Sequence, residues 1–498
     1  MHIAFLNPQG NFDPEDSYWA QHPDFGGQLV YVKEVAFGLA ALGHDVDIIT
    51  RQVIDPEWPE FRAKQDYYPG QRNLRIIRIP CGPDGFLEKE QLWPYLLTQW
   101  VPNILAFYKS EKRLPTVFTA HYGDGGLAGA ALQDQTGIHF SFTAHSLGAQ
   151  KMDKLGVNIL NVGAFDERYH FTARIAAEQT AISHAGGIIT STSQEKEIQY
   201  GHPAYKNAFR VEEHKLFSVI PPGVNMKIFS RNTTHIDDTI EQRIRRMATQ
   251  TLTESRAQLP YIVTASRLDP KKNITGLMRA YAQSEELKQK ANLLFAVRGP
   301  VETFQQEEFF SQPGDLLIRE LNSMIQLFEL GNKLLAVPLN GQHELASAYR
   351  YLATRHSVFI LPAIYEAFGL APLEAMACGL PAVVTKYGGP MESMVEGDRE
   401  YGVLIDPEDP HDIASGCLRL IANREEWTFF QKSGMERVSQ KYTWQRTAAK
   451  YAEFFGKILH ETSRAMASEP LLIPEYFYHP VEENSIPVSS LDWIAHES

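Results

Sequence analysis

The sequence predicts an α/β protein made of two doubly wound parallel-sheet domains. Three observations carry that reading. Short apolar runs alternate with helical stretches. The alternation stops and restarts once, across a polar, Thr- and Arg-rich segment from about 224 to 260. The glycines, cations and glutamates with chemical potential collect just past the apolar runs, where open α/β sheets bind ligands.

Taken in order, HIAFL (2–6) is a short buried-strand run followed by a loop rich in Asn, Asp, Pro and Gly. From Gly27 the period turns helical, with Leu29, Val32, Val35, Ala36 and Leu39 on one face and Gly43 as the stop. DVDIIT (45–50) and LRIIRI (74–79) are the next strands. TVFTA (116–120) leads through a glycine turn, HYGDGG, into a helix, and FSFTA (140–144) repeats the arrangement. A helix expected from near Asp166 precedes GGIITS (186–191). The rhythm resumes with YIVTA (261–265), NLLFAV (292–297), SVFIL (357–361), PAVVT (381–385) and GVLI (402–405). The expected division is a first domain over 1–225 and a second over 226–454. A Pro-, Glu-, Ser- and Tyr-rich tail from about 455 to 498 is expected to pack back on the first.

At 498 residues the chain exceeds what one core holds, and 44% apolar with 21% charged residues is an ordinary globular balance. A net charge of −13 argues against a nucleic-acid partner. Cys81, Cys378 and Cys417 are far apart, form no CxxC pair and point to a reducing compartment without structural zinc. MHIAFLNPQG lacks a signal-peptide core and no apolar run is long enough to span a membrane, so a cytoplasmic enzyme is expected. Neither GxGxxG nor a Walker A sequence is present, which weakens NAD and ATP-hydrolysis readings.

Four segments carry chemistry. DFGGQLV (24–30) sets Gly26 and Gly27 at the mouth of a helix, where free amides and the helix dipole attract phosphate. SRLDPKKN (266–273) crowds Arg267, Lys271 and Lys272 at a strand end, which suits a diphosphate. YEAFGLAPLEAMACGLP (365–381) brackets a helix expected from near Leu370 with Glu366 and Glu374, and offers the amides of Phe368, Gly369 and Leu370 to an anion. AHSLG (144–148) comes close to a nucleophile elbow, which would make Ser146 a hydrolase nucleophile. That pattern needs a helix directly after the serine, and HSLGAQKMDKLG, broken by two glycines, predicts no clear one.

GGQ, S-R-L-D-x-K-K-N and E-x-F-G-L-x-x-x-E together resemble the signature of retaining nucleotide-sugar glycosyltransferases of the GT-B fold, two Rossmann-like domains facing an interdomain cleft. NPQGNFD, HPDFGGQLVYVKEVA, HYGDGGLAG, FTAHSLGAQK, SVIPPGVN and EAFGLAPLEAMACGLPAVVT are similar to the sucrose-phosphate synthase family, over the chain to about residue 450. The long forms of that family carry a phosphatase-like extension, and this chain is expected to hold the synthase part alone.

The resemblance implies transfer of glucose from UDP-glucose to fructose 6-phosphate with retention at the anomeric carbon. No cofactor or metal is expected, Mg2+ being at most stimulatory. Gly27, Arg267, Lys272 and the amides of Phe368, Gly369 and Leu370 would hold the donor diphosphate, Glu374 the ribose, Glu366 the glucosyl hydroxyls, and Leu339 and Asn340 the base. Gly26, Gln28, Lys89, Tyr122, Ser146, Lys151 and Arg174 would hold the acceptor. His145 would face the donor sugar, making His145, Arg267, Lys272 and Glu366 the catalytic set and removing covalent chemistry from Ser146. Small-molecule substrates are the expected partners, with a separate sucrose-phosphate phosphatase downstream and no nucleic acid or membrane.

One position departs from the family pattern. Ala173 stands where an arginine is expected beside Arg174, with Arg168, Lys154 or His170 as substitutes for the phosphate contact. A sucrose synthase or a mannosylfructose-phosphate synthase-like transferase (free fructose as acceptor, or an ADP- or GDP-sugar as donor) and an inactive nucleotide-sugar-binding regulator are the alternatives. Asp45-x-Asp47 matches a metal-binding DxD on paper, but lies within a strand and reads as structural.

Overall fold

The computed structural model describes residues 1–19, 25–209, 216–266, 269–297, 316–461 and 470–496. It divides into two units, Met1–Pro221 with Trp444–Ser498, and Pro222–Thr443. The chain enters and leaves the second unit side by side, because Val224 pairs with Thr443 in a parallel bridge. The division therefore falls near 222 and 444, whereas the sequence places it at 226 and 455. The reason for the second difference is the helix Trp444–Glu461, which buries Trp444, Ala448, Tyr451 and Phe455 in the core of the first unit. Its approach is close: a Cβ added at Gly38 would sit 2.4 Å from the Ala448 Cβ, and one at Gly187 would sit 2.5 Å from Phe454.

In the first unit the described strands form an eight-stranded sheet, ordered Gln65–Tyr67, Leu74–Ile79, Asp45–Arg51, His2–Leu6, Val117–His121, Phe140–Thr143, Gly187–Thr190 and Phe217–Val219. All neighbours pair in parallel except the first two, which are antiparallel. Both faces are covered, by one cluster around Trp100, Phe118, Phe140 and Ile182 and another around Phe5, Val32, Ile48 and Phe454. That is why the inner strands read as unbroken apolar runs. The second unit repeats the plan with six parallel strands, ordered Leu334–Pro338, Asn292–Val297, Tyr261–Ala265, Val358–Leu361, Ala382–Thr385 and Val403–Ile405. In each sheet the order reverses beside the first strand of the unit. Ligand crevices of open α/β sheets lie at such switch points, past the strands' carboxyl ends.

Three local expectations are corrected. HYGDGG is no turn: the helix begins at Tyr122 and runs to Thr136, so its glycines lie inside it. They are there for contact, since a Cβ at Gly125 would meet the Leu6 carbonyl oxygen at 2.5 Å and one at Gly126 the Ala181 Cβ at 2.5 Å. The helix expected from near Asp166 is two helices, Val162–Tyr169 and Phe171–His184, broken at His170, whose φ is 48°. A helix, Gly148–Lys154, does follow Ser146. No helix among the described residues is long and apolar enough to cross a membrane.

The tail residues 470–496 lie on the first unit. Phe477, Leu491 and Trp493 join its core, and the Phe477 ring packs 6.2 Å from that of Trp93.

Candidate active site

The loops past the strand ends of the first unit enclose a pocket of about 270 Å³. Its lining includes Gly26, Gly27, Gln28, Lys89, Tyr122, Ser146, Lys151 and Arg174. All seven residues expected at the acceptor therefore meet there, and Gly27, expected at the donor, lies with them. Gly26 and Gly27 are exposed, and a Cβ added to either would meet no atom within 4 Å. Open space lies beside both, and no packing contact among the described residues requires a glycine there. The Gln28 side chain is turned to Asn7, whose Oδ1 it bonds.

Arg174 is the anchor of this pocket. Its Nε donates to Glu178 Oε1 at 2.9 Å, one helical turn on, and its Nη2 donates to the Ser146 carbonyl at 2.8 Å and lies 3.3 Å from Ser146 Oγ. Glu178, fully buried, also accepts from the Gly148 amide and the Tyr205 hydroxyl. A buried charge needs such partners. Glu178 thus ties Arg174 to the start of the Gly148 helix. Lys151 Nζ sits 4.1 Å from the Tyr169 ring centroid and 4.0 Å from Glu90 Oε1, and burial with nearby Arg174 lowers its pKa. Tyr122, held at φ 61°, bonds Ser146, and burial raises its pKa. Ser146 thus faces a cation and a phenol and not a base, which leaves the nucleophile elbow without its chemistry.

Asp124, unforeseen from the sequence, also lines the pocket. Its carboxylate accepts from the Gly125 amide at 2.7 Å and from Gln9 Nε2 at 3.1 Å, yet burial pushes its pKa up to about 7. Ala173 is buried in apolar core, so this position does not line the pocket. Neither do Arg168, Lys154 or His170.

His145 lies just beyond the strand Phe140–Thr143 with φ 57° and does not line this pocket. Its Nε2 is 2.8 Å from His121 Nδ1, and burial holds its pKa down to about 3. The DxD pair is spent on structure: Asp47 takes His2, Arg75 and Tyr108, and Asp45 takes Arg113.

In the second unit, Lys272 and Glu366 come together past the strands on either side of the sheet's switch point, Nζ to Oε2 at 2.5 Å. Lys272 ends a short turn, Pro270–Lys272, started by Asp269 bonding the Lys271 amide, and Asn273 caps the next helix. Arg267 lies outside the described residues. Phe368, Gly369 and Leu370 lead into the helix Leu370–Ala377, with Gly369 at φ 85°. Glu374 is partly accessible, but its carboxyl is sunk far enough that burial raises its pKa to about 7. Leu339 and Asn340 follow the strand Leu334–Pro338, where Glu344, held by Arg243, accepts the Asn340 amide. The sequence reading missed Gly388 and Gly389, which brace the Glu366 loop. Gly388 bridges Glu366, and a Cβ there would fall 1.9 Å from the Glu366 carbonyl oxygen. A glycine pair before a proline was the available signal. Among the described residues no group of three or more His, Cys, Asp or Glu side chains is placed to hold a metal ion.

Comparison with known proteins bears on this arrangement. The family model of group 1 glycosyl transferases matches residues 252–437, and that of a glycosyl transferase 4-like domain matches 26–206. A probable sucrose-phosphate synthase of Thermosipho melanesiensis is 41% identical over 479 residues, 96% of this chain and 99% of that one. The chain belongs to the sucrose-phosphate synthase family. A probable sucrose-phosphate synthase of Oryza sativa subsp. indica is 29% identical over 91% of the chain, which spans 46% of that longer protein. The solved sucrose-phosphate synthase of Thermosynechococcus elongatus superposes with a TM-score of 0.65 at 24% identity, covering 93% of this chain and all of that one, and shares its GT-B fold. Membership of the sucrose-phosphate synthase family makes the chain a hexosyltransferase of sucrose synthesis acting on small-molecule sugars.

Proposed function

We propose that the protein transfers glucose from UDP-glucose to fructose 6-phosphate, giving sucrose 6-phosphate with retention at the anomeric carbon and without a metal ion. The observation that carries this reading is the convergence of Lys89, Lys151 and Arg174 on one pocket of about 270 Å³ in the first unit. Three cations against two carboxylates, Glu90 and Asp124, leave the lining net positive, which suits a hexose phosphate better than a neutral hexose. Ser146 and Tyr122 add hydroxyls, and the Trp93 and Tyr169 side chains add apolar walls for a sugar ring. Ala173 does not line the pocket, so the phosphate contact falls to Lys89, Lys151 and Arg174.

The donor belongs on the second unit. Lys272, with Arg267, neutralises the charge that develops on the leaving diphosphate, and the amides of Phe368, Gly369 and Leu370 supplement it. Glu366 bonds the glucosyl hydroxyls and Glu374 the ribose, with Leu339 and Asn340 at the base. The bond from the anomeric carbon to the diphosphate breaks, the bond to the acceptor oxygen forms on the same face, and the acceptor proton leaves with the phosphate. The reaction needs no cofactor. Its phosphorylated product would be a substrate for a sucrose-phosphate phosphatase. Three free, buried cysteines accord with a cytoplasmic setting.

The test is incubation with UDP-glucose and either fructose 6-phosphate or fructose, with chelator, followed by identification of the disaccharide. A phosphorylated product from the first acceptor alone is expected. Equal turnover of free fructose, or dependence on ADP-glucose or added metal, overturns the corresponding part. Lys272→Ala should cost about 3 kcal/mol at the transition state, a drop in kcat of two orders of magnitude or more.

A further inference from the structure

The His121–His145 contact poses a question that its surroundings answer. Both rings are neutral at pH 7, because burial holds His145 down to about 3 and His121 well below its ordinary value. One hydrogen must therefore lie between His121 Nδ1 and His145 Nε2, 2.8 Å apart, and it belongs to one ring or the other. Which ring owns it decides what His145 presents from its remaining nitrogen, Nδ1.

The chain behind His121 is fully buried. Its Nε2 faces Thr119 Oγ1 at 3.5 Å, and Thr119 Oγ1 accepts a hydrogen bond from Ser141 Oγ at 2.9 Å. Suppose His145 owned the shared hydrogen. His121 would then carry its own on Nε2 and point it at Thr119, whose oxygen already accepts from Ser141. The Thr119 hydroxyl would receive two donors while its own hydrogen lost His121 Nε2, the one acceptor recorded for it among the described residues, an unfavourable arrangement. The opposite assignment pairs each hydrogen along the buried chain and leaves His145 Nδ1–H as its outer end. Ser141 donates to Thr119, Thr119 to His121 Nε2, and His121 Nδ1–H to His145 Nε2. The rings are held for this, with Phe5 stacked 5.4 Å from His121 and Tyr31 edge-on 5.1 Å from His145.

We infer that His121 is a positioning residue that, through the Ser141–Thr119–His121 chain, fixes His145 as its Nδ1–H tautomer, so that His145 offers a hydrogen-bond donor to an oxygen of the sugar substrate. The structural half of this inference stands by itself. The sugar contact rests on the proposed placing of His145 toward the donor sugar.

Two measurements test it. In protein labelled with 15N-histidine, with the His145 signals identified by their loss in His145→Gln, the ring proton of His145 is expected on Nδ1. A proton on Nε2 overturns the inference. In steady-state kinetics, His121→Asn keeps an amide N–H where Nδ1–H lies and should retain most of kcat. His121→Phe keeps the ring volume without the donor and should lose on the order of 10²-fold in kcat, with both KM values little changed. Equal losses in the two variants overturn the positioning role. Should His145→Gln turn over normally while the spectrum shows Nδ1–H, the tautomer stands and the contact between His145 and the sugar falls.

Discussion

The two units hold their functional charges in different ways. In the first, Arg174 and Glu178 lie one turn apart on a single helix, with Glu178 fully buried and bonded to Gly148 and Tyr205 as well. In the second, Lys272 and Glu366 lie 94 residues apart on two loops, both partly exposed. The first pair is a fixed part of the fold. The second joins two loops and is partly exposed, and under the proposed function a ligand would divide it, one partner taking the anion and the other the sugar. On that proposal one site is built before its substrate arrives, and the other is completed by it.

Removing the carboxylates separates these roles most sharply. Glu178→Ala leaves Arg174 without its main counter-charge in a buried place and should cost about 3–5 kcal/mol of stability, read as an earlier urea transition of the first unit. Glu366→Ala breaks a partly exposed pair and should cost no more than about 1 kcal/mol, while turnover falls far more. Similar stability losses in both variants would erase the distinction.

The Glu366 loop has its own fixed element, and that is backbone. Gly388 has φ 98° and lies against the Glu366 main chain. Gly388→Ala should therefore cost about 3 kcal/mol and lower kcat/KM for the nucleotide sugar, since Glu366 must move to admit a methyl group.

Much of this was legible beforehand because sheet burial leaves a strong mark. HIAFL, YIVTA and PAVVT are strands on both readings, since a strand covered on two faces has no polar positions to confuse it. The residues expected at the acceptor were named by likeness to a family, and the structure brings them to one pocket. What stayed hidden depends on long-range neighbours. Asp124 sits in a helix among glycines and looks like a solvated acid until its burial and its bond to Gln9, 115 residues away, are seen. Glu178 looks like any helical glutamate until Tyr205 and Gly148 are seen to close on it. His121 becomes informative only beside His145, 24 residues on and just past the end of the next strand. The break at His170 was missed because a left-handed histidine leaves no pattern in apolar spacing.

Each unit also buries one carboxyl whose pKa is raised to about 7, Asp124 in the first and Glu374 in the second. The sign of the consequence is fixed. Between the ordinary carboxyl value and 7 the folded protein keeps a proton that the unfolded chain has released, so stability falls as pH rises through this window. Asp124→Asn carries no such proton. Its stability relative to the parent should improve steadily from pH 5 to pH 7 and level off above, as read from urea midpoints. Glu374→Gln should do the same for the second unit. A midpoint difference constant from pH 5 to 8 would show that the carboxyl titrates as an ordinary acid. In the first unit the same variant should also weaken the pH dependence of the acceptor KM, because Asp124 lines that pocket.

The smallest expected effect on stability is the most informative about the pockets. Gly388 is a glycine because the fold has no room for a side chain, but Gly26 and Gly27 have nothing within 4 Å of an added Cβ, and Gly26 has a φ of −109° that any residue adopts. Alanine at either position should change stability by no more than about 0.5 kcal/mol. If the empty space is kept for substrate, the same substitutions should raise the acceptor KM, since a methyl group would then occupy the face of the pocket that a sugar approaches most closely. Unaltered stability with a raised KM would mark the first glycine pair as a binding surface and the second as a structural brace. Unaltered stability with an unaltered KM would move the sugar to another part of the lining, that formed by Trp93 and Tyr169.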